Sequence, residues 1–333
     1  MYLTKLASIQ LVLWNMLEKY NQDPAPVFEQ VGLNPELMHQ PGERYPLDRI
    51  AALWEEMEGR INDPCFGLTA ATCWHPSHFG TLGYALLVSK SLRVTLERLI
   101  RFHRVISDAD FGALQEEREN NTLTFTLNYK DELHYTRGRE DAAIAWIMSV
   151  LQVNFQQDLR PLAVHLTHPR PKCEERYFEY FRSAVHFNSP ACKIILPLDT
   201  AEQPLTGSNE KMAEFADQTM TTYLADLDSN SQVNQIREII VNNLPSGNVS
   251  VEQVAGELGI SGRKLQRVLQ DRGTTFLSLL NDTRMELAKE FIRDRHIDLT
   301  EVAFLLGFAE LSTFSRSFKR WTGTSPLQFR KAA

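Results

Sequence analysis

Arg263, Lys264, Gln266, Arg267 and Gln270 stand close together, interleaved with Leu265, Val268 and Leu269. Guanidinium, ammonium and amide groups at this spacing suit phosphate oxygens and base edges, and the apolar residues give such a helix a core-facing side. A second set, Ser312, Thr313, Ser315, Arg316, Lys319 and Arg320, alternates with Phe314, Phe318 and Trp321 in the same way, with Leu311 at its leading edge. The chemistry on offer is non-covalent recognition of a polyanion. The chain has no Walker loop, GxGxxG, GxSxG or HExxH, so no catalytic mechanism has its parts assembled, and neither enzyme activity nor a cofactor is expected.

A third group, Trp74, Phe79, Tyr84, Arg101, Phe102 and Arg104, concentrates aromatic and basic side chains in the first third of the chain. Ligand pockets combine apolar surface with a few placed polar groups, so this region is the expected effector site, with Arg101 or Arg104 answering the carboxylate of an organic acid or amino-acid-like compound. The alternative is a protein-interaction or oligomerisation module without a ligand, in which Leu96, Leu99 and Ile100 of Leu92–Val105 would serve a dimer surface as well as a core. His75 and His78 do not make a metal site: Pro76 disfavours a helical pair, and only Cys73 lies near as a further ligand. No metal is expected.

These groups need elements to hold them. Ser250 and Gln253 have capping-box spacing, so a helix starts at Val251; Gly259 supplies a left-handed turn, Ile260 an apolar anchor, and Ser261 the cap of the next helix, Gly262–Asp271. That is a helix-turn-helix over about 251–271. Asp298 and Glu301 repeat the cap, Gly307 repeats the turn, and a second unit spans about 299–321. Phe276–Asp294 reads as one continuous helix that holds the two units apart; a separation of about 34 Å would suit successive major grooves.

The 333 residues exceed what one core usually covers, and two domains are expected. Hydrophobic residues at 43% and charged residues at 23% are ordinary globular usage. The net charge of −7 is unevenly spread: residues 231–333 hold 14 Lys+Arg against 11 Asp+Glu, and the rest of the chain 21 against 31. A mildly basic C-terminal module on an acidic body keeps phosphate attraction on one surface.

N-terminally, helices are expected over Leu3–Tyr20, Pro24–Val31, Leu47–Gly59 and Leu92–Ile106. Leu123, Phe125, Leu127 and Tyr129 alternate with polar residues as a half-buried strand, hairpinned with Ala113–Arg118. A packed helix at Arg139–Phe155, short strands at Leu162–Leu166, Val185–Phe187 and Ile194–Leu196, and a helix at Glu174–Arg182 follow, then a helix over Asn209–Leu227. The fold class is therefore an α+β N-terminal domain of mixed helices and a small sheet (1–227), a polar linker at Asp228–Gln232, and an all-α domain (233–333) with two helix-turn-helix units joined by a long helix. Cys65, Cys73, Cys173 and Cys192 form no CxxC pair and read as buried free thiols, which argues against a zinc site and against disulfides. The polar residues from Met1 to Lys19 do not make a secretory leader, nowhere do eighteen apolar residues run together, and a cytoplasmic protein is expected, with no membrane partner.

Ile297-Asp-Leu-Thr-Glu-Val-Ala-Phe-Leu-Leu-Gly-Phe308, Ser312-Thr-Phe-Ser-Arg-Ser-Phe-Lys-Arg320 and Gly323-Thr-Ser-Pro326-Leu-Gln-Phe-Arg330 resemble the signature of the AraC/XylS family of transcription regulators, with Phe329 where that family usually has tyrosine. The resemblance implies a seven-helix domain on double-stranded promoter DNA, with base contacts from Arg263, Gln266 and Arg267, Lys264 nearby, and from Leu311, Ser312, Thr313 and Arg316. It further implies an activator that touches RNA polymerase, responds to an effector, and pairs as a homodimer on paired sites. Asp63-Pro-Cys-Phe-Gly-Leu68, Phe79-Gly-Thr-Leu-Gly-Tyr-Ala85 and Pro190-Ala-Cys-Lys-Ile-Ile195 are similar to the arabinose-binding-like domain of OruR and VirS type regulators, a domain that is not a cupin barrel.

Overall fold

The structure, a computed structural model, describes residues 3–129, 136–294 and 297–332. Of the residues cited against a leader, Met1 and Tyr2 lie outside that set. The chain divides into two compact units, Met1–Leu224 and Ala225–Ala333.

The first unit opens with β1 (Thr4–Leu6) and a 3-10 turn (Ala7–Gln10) before α1 (Leu11–Lys19). A single helix from Leu3 was expected. The first residues instead pair antiparallel with β2 (Arg44–Pro46), a partner local periodicity does not disclose. α2 (Pro24–Gln30), α3 (Leu47–Arg60), α4 (Gly80–Leu87), α5 (Leu92–Arg101) and α6 (His103–Ile106) follow. Ser91 caps α5 by accepting from the Val94 amide. Of the face weighed as a dimer surface, Leu96 and Leu99 on α5 are buried within this unit and Ile100 is half-buried against the same core.

The sheet consists of β3 (Asp110–Glu117), β4 (Thr122–Tyr129), β5 (Ala163–His165), β6 (Ala184–His186) and β7 (Cys192–Pro197) in the order β3-β4-β7-β5-β6. All its pairings are antiparallel except β5 with β6. Leu123, Phe125 and Leu127 are buried and oppose Leu196, Ile194 and Cys192. The expected alternation holds because a strand turns successive side chains to opposite faces. Against this core lies α7 (Arg137–Phe155), apolar nearly all round and buried on nearly all sides. Its first turn carries three consecutive charges into the interior, each taken by another element. Arg139 pairs with Asp110, Glu140 accepts from the amide and hydroxyl of Thr167, and Asp141 binds His168 and the Tyr177 hydroxyl. α8 (Glu175–Phe181) and α9 (Leu198–Glu202) complete the unit.

The cysteine expectation needs correcting. Cys65 and Cys173 are bonded as a disulfide, their Cα atoms 6.3 Å apart across a sequence separation of 108, while Cys73 and Cys192 are free and buried. Folding rather than sequence proximity brings the pair together. Asp63 lies beside these sulfurs, but Arg176 and Tyr20 engage its carboxylate.

α10 (Glu210–Asn243) runs from the first unit into the second. Asp228–Gln232, expected as a linker, is helical, because it contains neither Gly nor Pro to stop the helices on either side. The second unit continues with α11 (Val251–Glu257), α12 (Gly262–Gln270), α13 (Phe276–Arg293), α14 (Leu299–Leu305), α15 (Leu311–Thr322) and α16 (Pro326–Ala332). With the end of α10, these make seven helices among the described residues. Their core comprises Val254, Leu265, Leu269, Val302, Phe314 and Phe318 with their neighbours.

Candidate functional site

The two helix-turn-helix units repeat one construction. Ser250 caps α11 by accepting from the Gln253 amide, and Ser261 caps α12 by accepting from the Lys264 amide. Between them Gly259 sits at φ +65°, and the Ile260 amide donates to the Ala255 carbonyl at 3.0 Å. In the second unit Asp298 accepts from the Thr300 amide, Gly307 sits at φ +74°, and the Phe308 amide donates to the Ala303 carbonyl at 2.9 Å. The positive φ lets each turn reverse direction in a single residue, which glycine adopts without a Cβ clash.

On α12 the buried Leu265 and Leu269 fix the rotation, which leaves Arg263, Lys264, Gln266, Arg267 and Gln270 exposed. Among the described residues no ion pair engages Arg263, Lys264 or Arg267, so their charge is available to a partner. On α15 Phe314 and Phe318 are buried, Ser312, Arg316, Lys319 and Arg320 are exposed, and Thr313 and Ser315 are half-buried. Leu311 and Trp321 pack in part against the core, so Leu311 offers less outward surface than its sequence position suggests.

Two side chains in this unit escaped sequence reasoning. Glu310, preceding α15, accepts from the hydroxyls of Ser312 (2.6 Å) and Thr313 (3.0 Å) and lies 3.9 Å from Arg316. Those two hydrogen bonds hold its carboxyl below the usual range. A carboxylate thus stands at the leading end of α15. Arg284, on α13, donates through Nε to the Leu306 carbonyl at 2.9 Å and lies over the Phe308 ring. Its charge fastens the second turn to the connecting helix. An acid two residues beyond a turn motif could have flagged Glu310; nothing local marks Arg284.

The first unit contains a cavity of about 120 Å³. Its apolar wall includes Leu13, Phe79, Ile106, Phe125, Leu127 and Trp146, with Phe79 and Trp146 stacked at 4.1 Å. Lys5, Asp110 and Arg139 form its polar end: Lys5 Nζ is 3.0 Å from Asp110 Oδ2, and Arg139 Nη2 is 2.5 Å from Oδ1. Burial opposes both charges, lowering Lys5, but the two cations win at Asp110 and hold its carboxyl well below the usual range. Gly112 also lines the space; a Cβ there would stand 2.6 Å from the Phe125 ring, so only glycine keeps this wall open without displacement.

Two family models match the chain: the arabinose-binding domain of AraC transcription regulators, N-terminal, over residues 22–205, and a helix-turn-helix domain over residues 254–332. The chain belongs to the AraC family of transcription regulators. The ornithine utilization regulator of Pseudomonas aeruginosa is 27% identical over 324 residues, covering 96% of this chain and 94% of that protein. The regulator VirS of Mycobacterium tuberculosis is 22% identical over 328 residues, covering 96% and 94%. The crystal structure of the regulator CdpR from Pseudomonas aeruginosa aligns with 21% identity and a TM-score of 0.47, covering 96% of this chain and 98% of that one. This is a family of DNA-binding regulators and not of enzymes.

In this AraC-family regulator the residues chosen from sequence for the effector do not converge. Phe79 lines the cavity. Trp74 stacks edge-on to Phe79, and its indole donates to Ser149 Oγ at 2.9 Å. Tyr84 is exposed, Phe102 is core, Arg101 lies outside over the Phe102 ring, and Arg104 is 3.7 Å from Asp108. The cationic end belongs instead to Lys5 and Arg139. Arg139 carried a usable signal: a charge cluster opening a helix that is apolar all round must bury its charges.

Proposed function

We propose that this regulator reads operator DNA by placing α12 and α15 in successive major grooves, and that a small molecule in the cavity of the first unit changes its affinity for DNA. The carrying observation is the exposed face of α12, where Arg263, Lys264, Gln266 and Arg267 project together from a helix whose rotation Leu265 and Leu269 fix. Residues 1–227 would form the regulatory part and 233–333 the DNA-binding part. A ligand can bias the two states only through its differential affinity for them. We assign the protein to the cytoplasm as an activator that contacts RNA polymerase and uses a second copy of itself on paired sites, where tethering raises effective concentration. No helix among the described residues is long and apolar enough to cross a membrane.

The test is a mobility shift on the upstream intergenic DNA with wild type, Arg263→Ala and Arg316→Ala. A bidentate arginine–guanine contact contributes about 1–3 kcal/mol of discrimination, so Arg263→Ala should weaken specific binding roughly 5- to 150-fold while leaving unrelated DNA nearly unaffected. Equal losses on specific and unrelated DNA would reduce Arg263 to a phosphate contact. The name of the Pseudomonas aeruginosa relative connects that protein with ornithine. L-Ornithine is therefore the natural comparison compound for the effector.

A further inference from the structure

Resting on the reading of the first unit as effector-binding, we propose that its cavity takes a monocarboxylate carried on an apolar, ring-sized body. Three observations converge on that class. Its charged end holds two cations, Lys5 and Arg139, against one anion, Asp110, which leaves room for one more negative charge. Next, three buried N–H donors on the wall have no hydrogen-bond partner: Gln10 Nε2, Arg139 Nε and Trp146 Nε1. These residues are 1%, 6% and 9% exposed. Buried donors normally find an acceptor, and a cluster of orphans around one space points to an acceptor that enters it. A carboxylate offers two oxygens and about four lone-pair sites. Finally, the remaining wall is apolar and aromatic, with the Phe79–Trp146 stack on one side. At about 120 Å³ the space approaches the ~150 Å³ at which an apolar protein cavity accepts benzene.

The same wall argues against two other classes. An amino acid brings an ammonium group that needs acceptors, yet Asp110 is the only carboxylate among the described lining residues, and Lys5 and Arg139 engage both its oxygens. His103 adds one neutral acceptor at most: its Nδ1 lies 2.8 Å from the Ile100 carbonyl, so that nitrogen carries the proton and Nε2 is left buried without a partner. A sugar would set hydroxyls against Leu13, Ile106, Phe125 and Leu127, where they would lose their water without replacement.

The experiment is calorimetric titration of the full-length protein with phenylacetate, its neutral isostere phenylacetamide, toluene, L-ornithine and L-arabinose, repeated on Trp146→Phe and Arg139→Met. Phenylacetate should bind at least about tenfold more tightly than phenylacetamide, since the carboxylate meets charge-assisted donors. Trp146→Phe keeps an aromatic ring on the wall but removes the indole N–H together with part of the ring system; it should weaken phenylacetate several-fold while toluene, which uses no donor, binds at least as well as to wild type. Arg139→Met should bring acid and amide to similar affinity. Should that variant fail to fold, Trp146→Phe with a far-ultraviolet spectrum and a cooperative unfolding transition like wild type carries the test alone. Equal binding of acid and amide overturns the inference, as does tighter binding of ornithine or arabinose. Binding of toluene without the acid also overturns it while the cavity reading stands; silence of both toluene and the acid overturns the two together.

Discussion

The two turn glycines allow a comparison in which backbone conformation is held constant and surroundings differ. Gly259 and Gly307 lie at φ +65° and +74°, so alanine at either position carries the same left-handed penalty of about 1–2 kcal/mol. At Gly259 the added methyl meets nothing within 4 Å. At Gly307 it would stand 2.4 Å from the Leu244 carbonyl oxygen and 3.3 Å from Arg284 Nη2. Neither neighbour retreats freely, because Leu244 is buried in the unit core and Arg284 holds the Leu306 carbonyl. Opening that contact to ordinary van der Waals distance requires a backbone shift of about 1 Å, and overpacking of this kind adds about 1–3 kcal/mol. Gly259→Ala should therefore destabilise the second unit by about 1–2 kcal/mol and Gly307→Ala by about 2–5 kcal/mol, a large part of the ~5–15 kcal/mol that holds an ordinary domain together. Hydrogen-exchange mass spectrometry on the full chain reads this directly, through the opening free energy of peptides covering residues 251–270 and 299–322. Gly259→Asn should lose less than Gly259→Ala, since asparagine tolerates the left-handed region. Equal losses at the two glycines, or a milder loss at Gly307, would refute the steric reasoning.

Protein denatured without reductant should show two reactive thiols, Cys73 and Cys192, and four after reduction; four at the outset would exclude the Cys65–Cys173 bond. Reducing that bond should lower the stability of the first unit by about 2–4 kcal/mol, measured by urea unfolding. Glu310→Gln removes a negative charge from the leading end of α15, so binding to unrelated DNA should strengthen a few-fold at low salt and lose the gain as salt rises. An unchanged affinity would place Glu310 away from the DNA. Arg284→Met deletes a charged donor to a buried carbonyl and a cation–π contact, and should destabilise the second unit by about 2–3 kcal/mol. The salt dependence of its DNA binding should stay as in wild type, because Arg284 faces the second turn; a shallower slope would make it a phosphate contact.

The DNA-reading half was legible in the sequence because its signals are local. Ser250, Ser261 and Asp298 cap the helices next to them, Gly259 and Gly307 adopt positive φ within their own turns, and Leu265, Leu269, Phe314 and Phe318 fix the rotation of α12 and α15 through a period of 3.6 residues. The strand Thr122–Tyr129 was legible for the same reason, its alternation being written in consecutive residues. Local reasoning failed wherever the deciding partner was distant. Thr4–Leu6 became a strand because Arg44–Pro46 supplies its hydrogen bonds, and Cys65 met Cys173 only across the folded unit. Polar composition at Asp228–Gln232 suggested a linker, but polarity alone stops no helix. The cavity is the fullest case: Lys5 on β1, Asp110 on β3 and Arg139 on α7 come from three separate elements, and no window of sequence holds them together. Tertiary packing brought them to one wall, because buried charges must find one another once the apolar faces around them have closed.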